Sequence, residues 1–534
     1  MKVTYLFALL PLFVSCSEWN DHYEPATDAA SGNLTLWQTM KQNPQLTDFC
    51  EVLQQTHVFR QHKKTPVSYA DLLDGGQSFT VLAPVNGTFD KAALLQQVQT
   101  QQGDSIVEKS FVLNHLSRSN VSLNGQLQQM RLANTKLVQM GNGKVGDVAI
   151  TSANQHAHNG ILHVLQSQLP YSLNLYEAMT DLPQFQTIGQ QLRQYEEDEF
   201  DENNSLSNGM IDGIPIYVDS VVIERNRLLE GFGLINAEDS TYLMVVPSNE
   251  GWQQAWTEAQ QYFVFDETVE KRDSLQQYWT NRALLDDAVF SMTVQNSPQD
   301  SLISSHYDRL HPEYHVFYKP FSTGIMSQAE QVFPCSNGTL YQTRQWPFRP
   351  EETYFRVLKT EGEDESIITE HSSCSYDKRI FSADSISESG YLDIIPATAT
   401  ANWNVTFRID NTLAGSYDIC AVVLPKSVYN PTSPDLRPCK FRANISYVDE
   451  TGKQKSFNCG NTNFVSDPLR VDTVVLARAF TFPVCNYDQT NQKVTVRLNC
   501  NILARETSSY AREMYLDCIY LRPAKPEDEV ITRN

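Results

Sequence analysis

The sequence predicts a multidomain chain of mixed α+β and all-β type: two copies of an α/β module followed by a C-terminal β-sandwich. Three observations carry this. Asn33 to Phe49 (NLTLWQTMKQNPQLTDF) aligns without gaps onto Ser172 to Ile188 (SLNLYEAMTDLPQFQTI), an offset of 139 residues from Leu34 to Leu173. Two further ordered pairs of segments follow inside the copies. After about residue 355 the grammar changes to short alternating runs separated by turn residues.

At the N-terminus, Lys2 precedes a short apolar core from Tyr5 to Val14 and then Phe13-Val14-Ser15-Cys16. That core is too short for a membrane span, which needs roughly 20 apolar residues, and it reads as an export signal. Cys after a small residue resembles a bacterial lipobox, with Phe13 where Leu is usual, and the resemblance makes Cys16 the lipidated first residue of the mature chain. Residues 1–16 are then the signal peptide and 17–32 a polar, aperiodic tether. The start Cys-Ser-Glu-Trp-Asn-Asp-His-Tyr looks like that of surface lipoproteins of the Bacteroides type.

The first module is expected over 33–170 and the second, divergent one over 171–355. Thr80 to Phe89 (TVLAPVNGTF) matches Leu243 to Trp252 (LMVVPSNEGW): an apolar run that stops at Pro84 or Pro247, keeps Asn86 or Asn249, and ends on a large aromatic. Proline closes a strand because it has no ladder N–H, and each Asn is expected to cap the helix anchored by Phe89 or Trp252. His158 to Val164 (HNGILHV) pairs with Ser336 to Gln342 (SNGTLYQ), where Asn-Gly supplies a turn into a strand. These two boxes resemble the signature segments of the fasciclin domain. Phe111 to Leu116 (FVLNHL) sits where that family has its central segment, with His115 at the matching position. In the second copy Val246 replaces Ala, Trp252 replaces Phe, Tyr341 replaces His163, and His115 has no counterpart. The resemblance covers about residues 33 to 350 and implies adhesion, or interaction with protein, matrix or glycan.

Residues 356–525 are expected to form the sandwich, with 526–534 a tail. Trp403, Val405, Phe407 and Ile409 alternate with polar residues, as in a half-buried strand, and similar runs occur at Tyr417 to Leu424, Phe441 to Tyr447, Thr473 to Leu476, Val494 to Leu498 and Leu516 to Leu521. The pattern resembles jelly-roll modules of the galactose-binding or carbohydrate-binding type. Seven of the ten cysteines fall here: Cys374, Cys420, Cys439, Cys459, Cys485, Cys500 and Cys518. Export permits disulfides, while strand positions such as Cys420, Cys500 and Cys518 equally suit buried thiols, and both stay open.

Chemistry is sparse. His156, His158 and His163, with His115 near if the domain closes as the family does, are the sharpest constellation. Alternation after Asn159-Gly160 turns His163 inward as a structural residue, and His156 and His158 fall in a polar loop, so no metal and no cofactor is expected. Gly-x-Ser-x-Gly elbows and phosphate loops are absent, and the acidic run Glu196 to Glu202 reads as a solvated loop. Trp403 shares its strand's apolar face and belongs to a core, whereas Tyr429 and Tyr487 are loop aromatics that could stack on sugar. Trp346-Pro347-Phe348 is expected to lie exposed and to close the second module against the sandwich.

A net charge of −22 opposes nucleic acid as a partner. The expectation is a non-enzymatic, exported protein at the outer membrane or cell surface, attached to the membrane by its lipid alone, binding extracellular protein, matrix or glycan. The alternative is a glycan-binding accessory of a polysaccharide-uptake system that uses the sandwich.

Overall fold

The computed structural model describes residues 32–524, except 61, 212–213, 293–299, 382, 384, 430 and 461, and gives the backbone alone at 201–224, 389 and 429. Cys16, nearly all of the 17–32 tether, the 526–534 tail and the side chain of Tyr429 lie outside the described residues. No helix among the described residues is long and apolar enough to cross a membrane.

Module 1 opens with α1 (Leu36–Lys41) and α2 (Thr47–Gln55). Leu36, Met40, Phe49, Val52 and Leu53 turn to one side and are fully buried, the stripe expected of amphipathic helices. The central strands are β1 (Phe79–Pro84), β2 (Leu116–Ser117), β3 (Val148–Ala157) and β4 (Gly160–Leu165), and all six residues of both β1 and β4 are buried. β1 and β4 run parallel with Phe79 opposite Gly160, and β2 lies antiparallel on the other side of β1. The sheet continues through β3 to the edge strand Gln128–Arg131 and has seven strands.

Module 2 repeats this plan with α3 (Leu175–Asp181), α4 (Gln186–Arg193), a long antiparallel hairpin β5 (Glu196–Ile211) and β6 (Ile214–Asn226), then β7 (Tyr242–Pro247), α5 (Asn249–Ala259), α6 (Arg272–Leu285) and β8 (Val289–Ser291). It ends in β9 (Ser301–Asp308), β10 (Glu313–Tyr318), β11 (Ala329–Cys335) and β12 (Gly338–Thr343). β7 and β12 are parallel with Tyr242 opposite Gly338, the same register as in module 1. Its sheet has only four strands, β8-β7-β12-β11, and β9 with β10 forms a separate two-stranded sheet.

The acidic run is therefore strand and not loop. Glu196 starts β5, where cross-strand ion pairs hold the charges: Glu197 to Arg227 at 2.7 Å and Glu199 to Arg225 at 2.6 Å. Solvent exposure of the run is retained, because both carboxylates stay about half exposed in the hairpin.

Equivalent glycines and asparagines explain why the two copies share one plan. A Cβ on Gly160 (φ +146°) would sit 1.9 Å from the Phe79 carbonyl oxygen, and one on Gly338 (φ +155°) 2.1 Å from that of Tyr242. Only glycine permits that approach of the two strands. Beside each glycine, Asn159 accepts from the Leu36 amide at 2.7 Å and Asn337 accepts from the Leu175 amide at 2.9 Å, so the first helix is tied to the sheet. Asn86 and Asn249 do not cap the helix that follows them. Each reaches back to the second helix of its copy, accepting from Asp48 N–H in module 1 and Thr187 N–H in module 2, both at 2.9 Å. Asp90 caps the helix after Asn86, and Ser248 stands at the N-terminus of α5 without a side-chain capping bond to it.

The C-terminal module is a β-sandwich of two six-stranded sheets. In one, Met514–Pro523 lies between Gly390–Pro396 and Gly415–Leu424. In the other, Val494–Cys500 lies between Asn404–Ile409 and Lys440–Val448. Val405, Phe407 and Ile409 are fully buried between the sheets, as the alternation requires. Trp403 is 1% exposed, and its indole N–H donates to the Arg512 carbonyl at 2.5 Å, so it is a core residue. All nine described cysteines are free thiols. Most are buried, and loss of water pushes the Cys459 thiol up to about 12 and that of Cys500 to about 11, keeping both neutral.

The modules are joined by packed interfaces. Lys136 of module 1, 5% exposed, meets Glu177 at 2.9 Å and Glu238 at 2.7 Å in module 2. Burial alone would raise Glu177, and Lys109 and Lys136 more than reverse this, bringing it down to about 2. Module 2 shares a core with the sandwich through Phe263, Phe265, Ala283 and Phe355. Trp346-Pro347-Phe348 does not make this seam. Phe348 is 5% exposed and packs inside module 2 with Val245, Phe290 and Leu302, while Phe355 reaches Tyr417 of the sandwich at 4.8 Å.

Candidate functional site

Of the four histidines singled out in module 1, His115 and His163 are structural. His115 is fully buried: Nδ1 donates to the Phe111 carbonyl at 2.7 Å and Nε2 accepts from Leu169 N–H at 2.9 Å. Desolvation lowers it to about 4, so the ring is neutral, as this bonding requires. His163 likewise spans the Val121 carbonyl at 2.9 Å and the Asn154 amide at 3.3 Å. His156 is exposed on β3, not in a loop, and His158 is exposed in the turn after it. Among the described residues no group of three or more His, Cys, Asp or Glu is arranged to hold a metal ion.

In module 2 the corresponding corner is different. Val289 faces Met244 as Leu116 faces Val81, which places Ala288 where His115 stands and Asp287 where Asn114 stands. Asp287 accepts from His315 Nδ1 at 2.8 Å, and His315 Nε2 lies 3.3 Å from Asp308 and 2.7 Å from Arg356 Nη1. Burial alone would lower His315, and the bonds to Asp287 and Asp308 outweigh burial and the nearby Arg356, raising it to about 9. Burial would raise Asp308, but His311 and His315 hold it well below the usual carboxylate range. A cavity of ≈ 50 Å³ adjoins these groups, closed on the sandwich side by Tyr417 and Tyr487. Tyr487 stacks edgewise on Trp279 at 4.7 Å, so it is part of the seam between modules and not a free sugar platform.

The cluster anchors β10, whose inner residues are His315 and Phe317. Phe317 packs on Phe290 at 5.9 Å and Phe348 at 5.0 Å. Strand alternation then sends Tyr314, Val316 and Tyr318 outward, where they are 42%, 41% and 74% exposed. Along this strand runs an open groove of ≈ 780 Å³. Thr323 to Ile325, Gln328, Trp346, Pro347, Arg349, Glu351, Glu352 and Arg356 complete its lining. Arg349 is engaged by Glu352, and Arg356 donates to Glu313 at 2.5 Å. The groove offers aromatic surface, paired charges and a strand edge, an arrangement suited to recognition. Sequence inspection passed over it. The signal was the alternation in Glu-Tyr-His-Val-Phe-Tyr at 313–318, and the absence of a His115 counterpart marked the corner that anchors it.

Residues 44–170 match the family model of the fasciclin domain. The match spans most of the first module and agrees with its two boxes. Among solved structures, the chain is similar to a FAS1 domain pair from the insect cell adhesion molecule Fasciclin I, at 9% identity over 52% of this chain and 90% of that one, with a TM-score of 0.20. It is also similar to the CBM22-1 xylan-binding domain of Xyn10C from Paenibacillus barcinonensis, at 12% identity over 32% of this chain and 94% of that one, TM-score 0.22. A family 35 carbohydrate-binding module from Clostridium thermocellum is a third, at 12% identity over 32% and 98%, TM-score 0.18. TM-scores of this size carry no argument about ligands. A search of curated proteins gives no match.

Proposed function

We propose that this chain is an exported surface lipoprotein, anchored through Cys16, that carries two tandem fasciclin-type modules and works by binding an extracellular protein or matrix component and not by catalysis. The observation that carries the proposal is the ≈ 780 Å³ groove along β10, an open recognition surface mounted on a body whose modules share cores and buried ion pairs. The fasciclin match over residues 44–170 is in keeping with an adhesion-type role. The charge of −22 favours cationic partners over nucleic acid.

The test is an array of matrix proteins and polysaccharides probed with the chain from Ser17 onward. Binding to protein that weakens with salt is the expected result. A signal from polysaccharide alone would replace this proposal with the glycan-uptake accessory, and turnover of a polysaccharide or ester by pure protein would overturn the non-enzymatic assignment. The anchor has its own check. Labelled fatty acid is expected to enter the protein, and Cys16→Ala is expected to abolish that labelling.

A further inference from the structure

Among the described residues β10 pairs only with β9, in a sheet separate from the four-stranded sheet of module 2, so its other side is a strand edge. Alternate amides and carbonyls of Glu313–Tyr318 therefore face away from the partner strand. The groove is lined by all six residues of that strand in succession, Glu313 through Tyr318, so it follows the edge rather than one face of the hairpin. Six residues of strand span about 20 Å, and an added strand sits about 4.8 Å away.

Edges of this kind are ordinarily blunted by Lys, Pro, a covering loop or an inward charge. Within β10 there is neither Lys nor Pro; His315 points inward and β9 bulges opposite it, while the outward side chains Tyr314, Val316 and Tyr318 remain apolar or aromatic. Both arginines are already held by carboxylates, and with His315 and its partners counted, Glu313, Glu351, Glu352, Asp287 and Asp308 outnumber Arg349, Arg356 and His315. The local charge therefore has the same sign as the chain's −22.

We propose that β10 takes up an extended, cationic segment of a partner protein as an added strand, with alternate apolar side chains of that segment set against Tyr314, Val316 and Tyr318. This rests on the binding role proposed above and names its site and the chemistry of its partner. Main-chain hydrogen bonds along the edge supply affinity, and the alternating side chains supply register. A glycan would use the tyrosine faces and leave the edge amides unpaired. The Tyr314 ring is moreover already engaged edgewise by Tyr307 at 5.0 Å.

The experiment is selection from a random decapeptide display library on the chain from Ser17 onward, followed by affinity measurement on synthetic hits. Hits are expected to alternate apolar with basic residues. N-methylating one alternate set of peptide amides is expected to abolish binding while the other set is tolerated, the signature of a strand paired along one edge. Tyr318→Ala, at an exposed position that leaves the fold intact, is expected to weaken binding about tenfold. Glu351→Lys is expected to weaken it and to flatten its salt dependence. Two results overturn the inference separately. If peptides or matrix proteins bind but both N-methylated sets and Tyr318→Ala behave as the parent, the binding role stands and β10 is not its site. If only polysaccharide binds, the protein-binding role fails as well.

Discussion

Modules 1 and 2 share a parallel strand pair, a glycine between the strands and a buried asparagine beside it, yet they use histidine in opposite ways. In module 1, His115 is sealed in the core as a neutral ring that pins the Phe111 carbonyl and the Leu169 amide. In module 2, Ala288 takes that place, and charge gathers at the same corner, where Asp287 and Asp308 raise the proton affinity of His315 on the neighbouring hairpin. The first arrangement closes a seven-stranded sheet. The second holds a separate hairpin in place and leaves its outer edge free. The second copy thus has Ala288 where the first has its histidine pin, and its groove lies along the hairpin that the His315 cluster holds.

Four predictions test how far the two copies are alike, from the largest effect to the smallest. Gly160→Val and Gly338→Val each force a Cβ to within 1.9 or 2.1 Å of a carbonyl oxygen and are expected to cost more than about 4 kcal/mol. Urea titration reads this, and tolerance of one substitution alone would show that the glycines are not equivalent. Lys136→Met leaves Glu238 buried without its cation and Glu177 with Lys109 alone, at an expected cost of about 3–5 kcal/mol. Calorimetry is expected to show a lower transition, split into separate module transitions if this pair alone couples modules 1 and 2.

The histidine contrast predicts opposite pH limbs. His115 has a folded value of about 4 against 6.5 unfolded, so the unfolded chain binds the extra proton and stability falls as pH drops from about 6.5 to 4. The size is on the order of 3 kcal/mol. His315, raised to about 9, contributes stability that is complete below about 6.5 and is lost as pH rises through about 9. In urea midpoints measured against pH, His115→Gln is expected to flatten the acid limb and His315→Gln the alkaline limb. The reverse assignment would break the comparison. The smallest effect belongs to the shared caps: Asn86→Ala and Asn249→Ala should each cost about 1–2 kcal/mol, equal to within about 0.5.

Much of the architecture was legible because it repeats or alternates. The gapless match of the opening helices, the two Pro/Asn boxes and the Asn-Gly turns all mark positions where backbone geometry admits few residue types. Val405, Phe407 and Ile409 declared a half-buried strand for a similar reason, since period-two burial is written directly into residue order. Charge runs misled, because Glu196 to Glu202 fits solvated loop and solvated hairpin equally well until Arg225 and Arg227 lie across from it. Asn86 was assigned to the wrong helix because a side-chain amide can reach either neighbour, and only packing places α2 within 2.9 Å of it.

By itself the sequence determined the repeat, the strand registers that glycine and proline enforce, the apolar core of the sandwich and the sign of the chain's field, all of which depend on residue type and local spacing. Tertiary structure alone decided the rest. Lys136 finds Glu238 from 102 positions away, His315 finds Asp287 from 28, and among the described residues β10 is left with β9 as its one paired strand. Those outcomes depend on which distant segments the closed chain brings together, and no local pattern of residues encodes that.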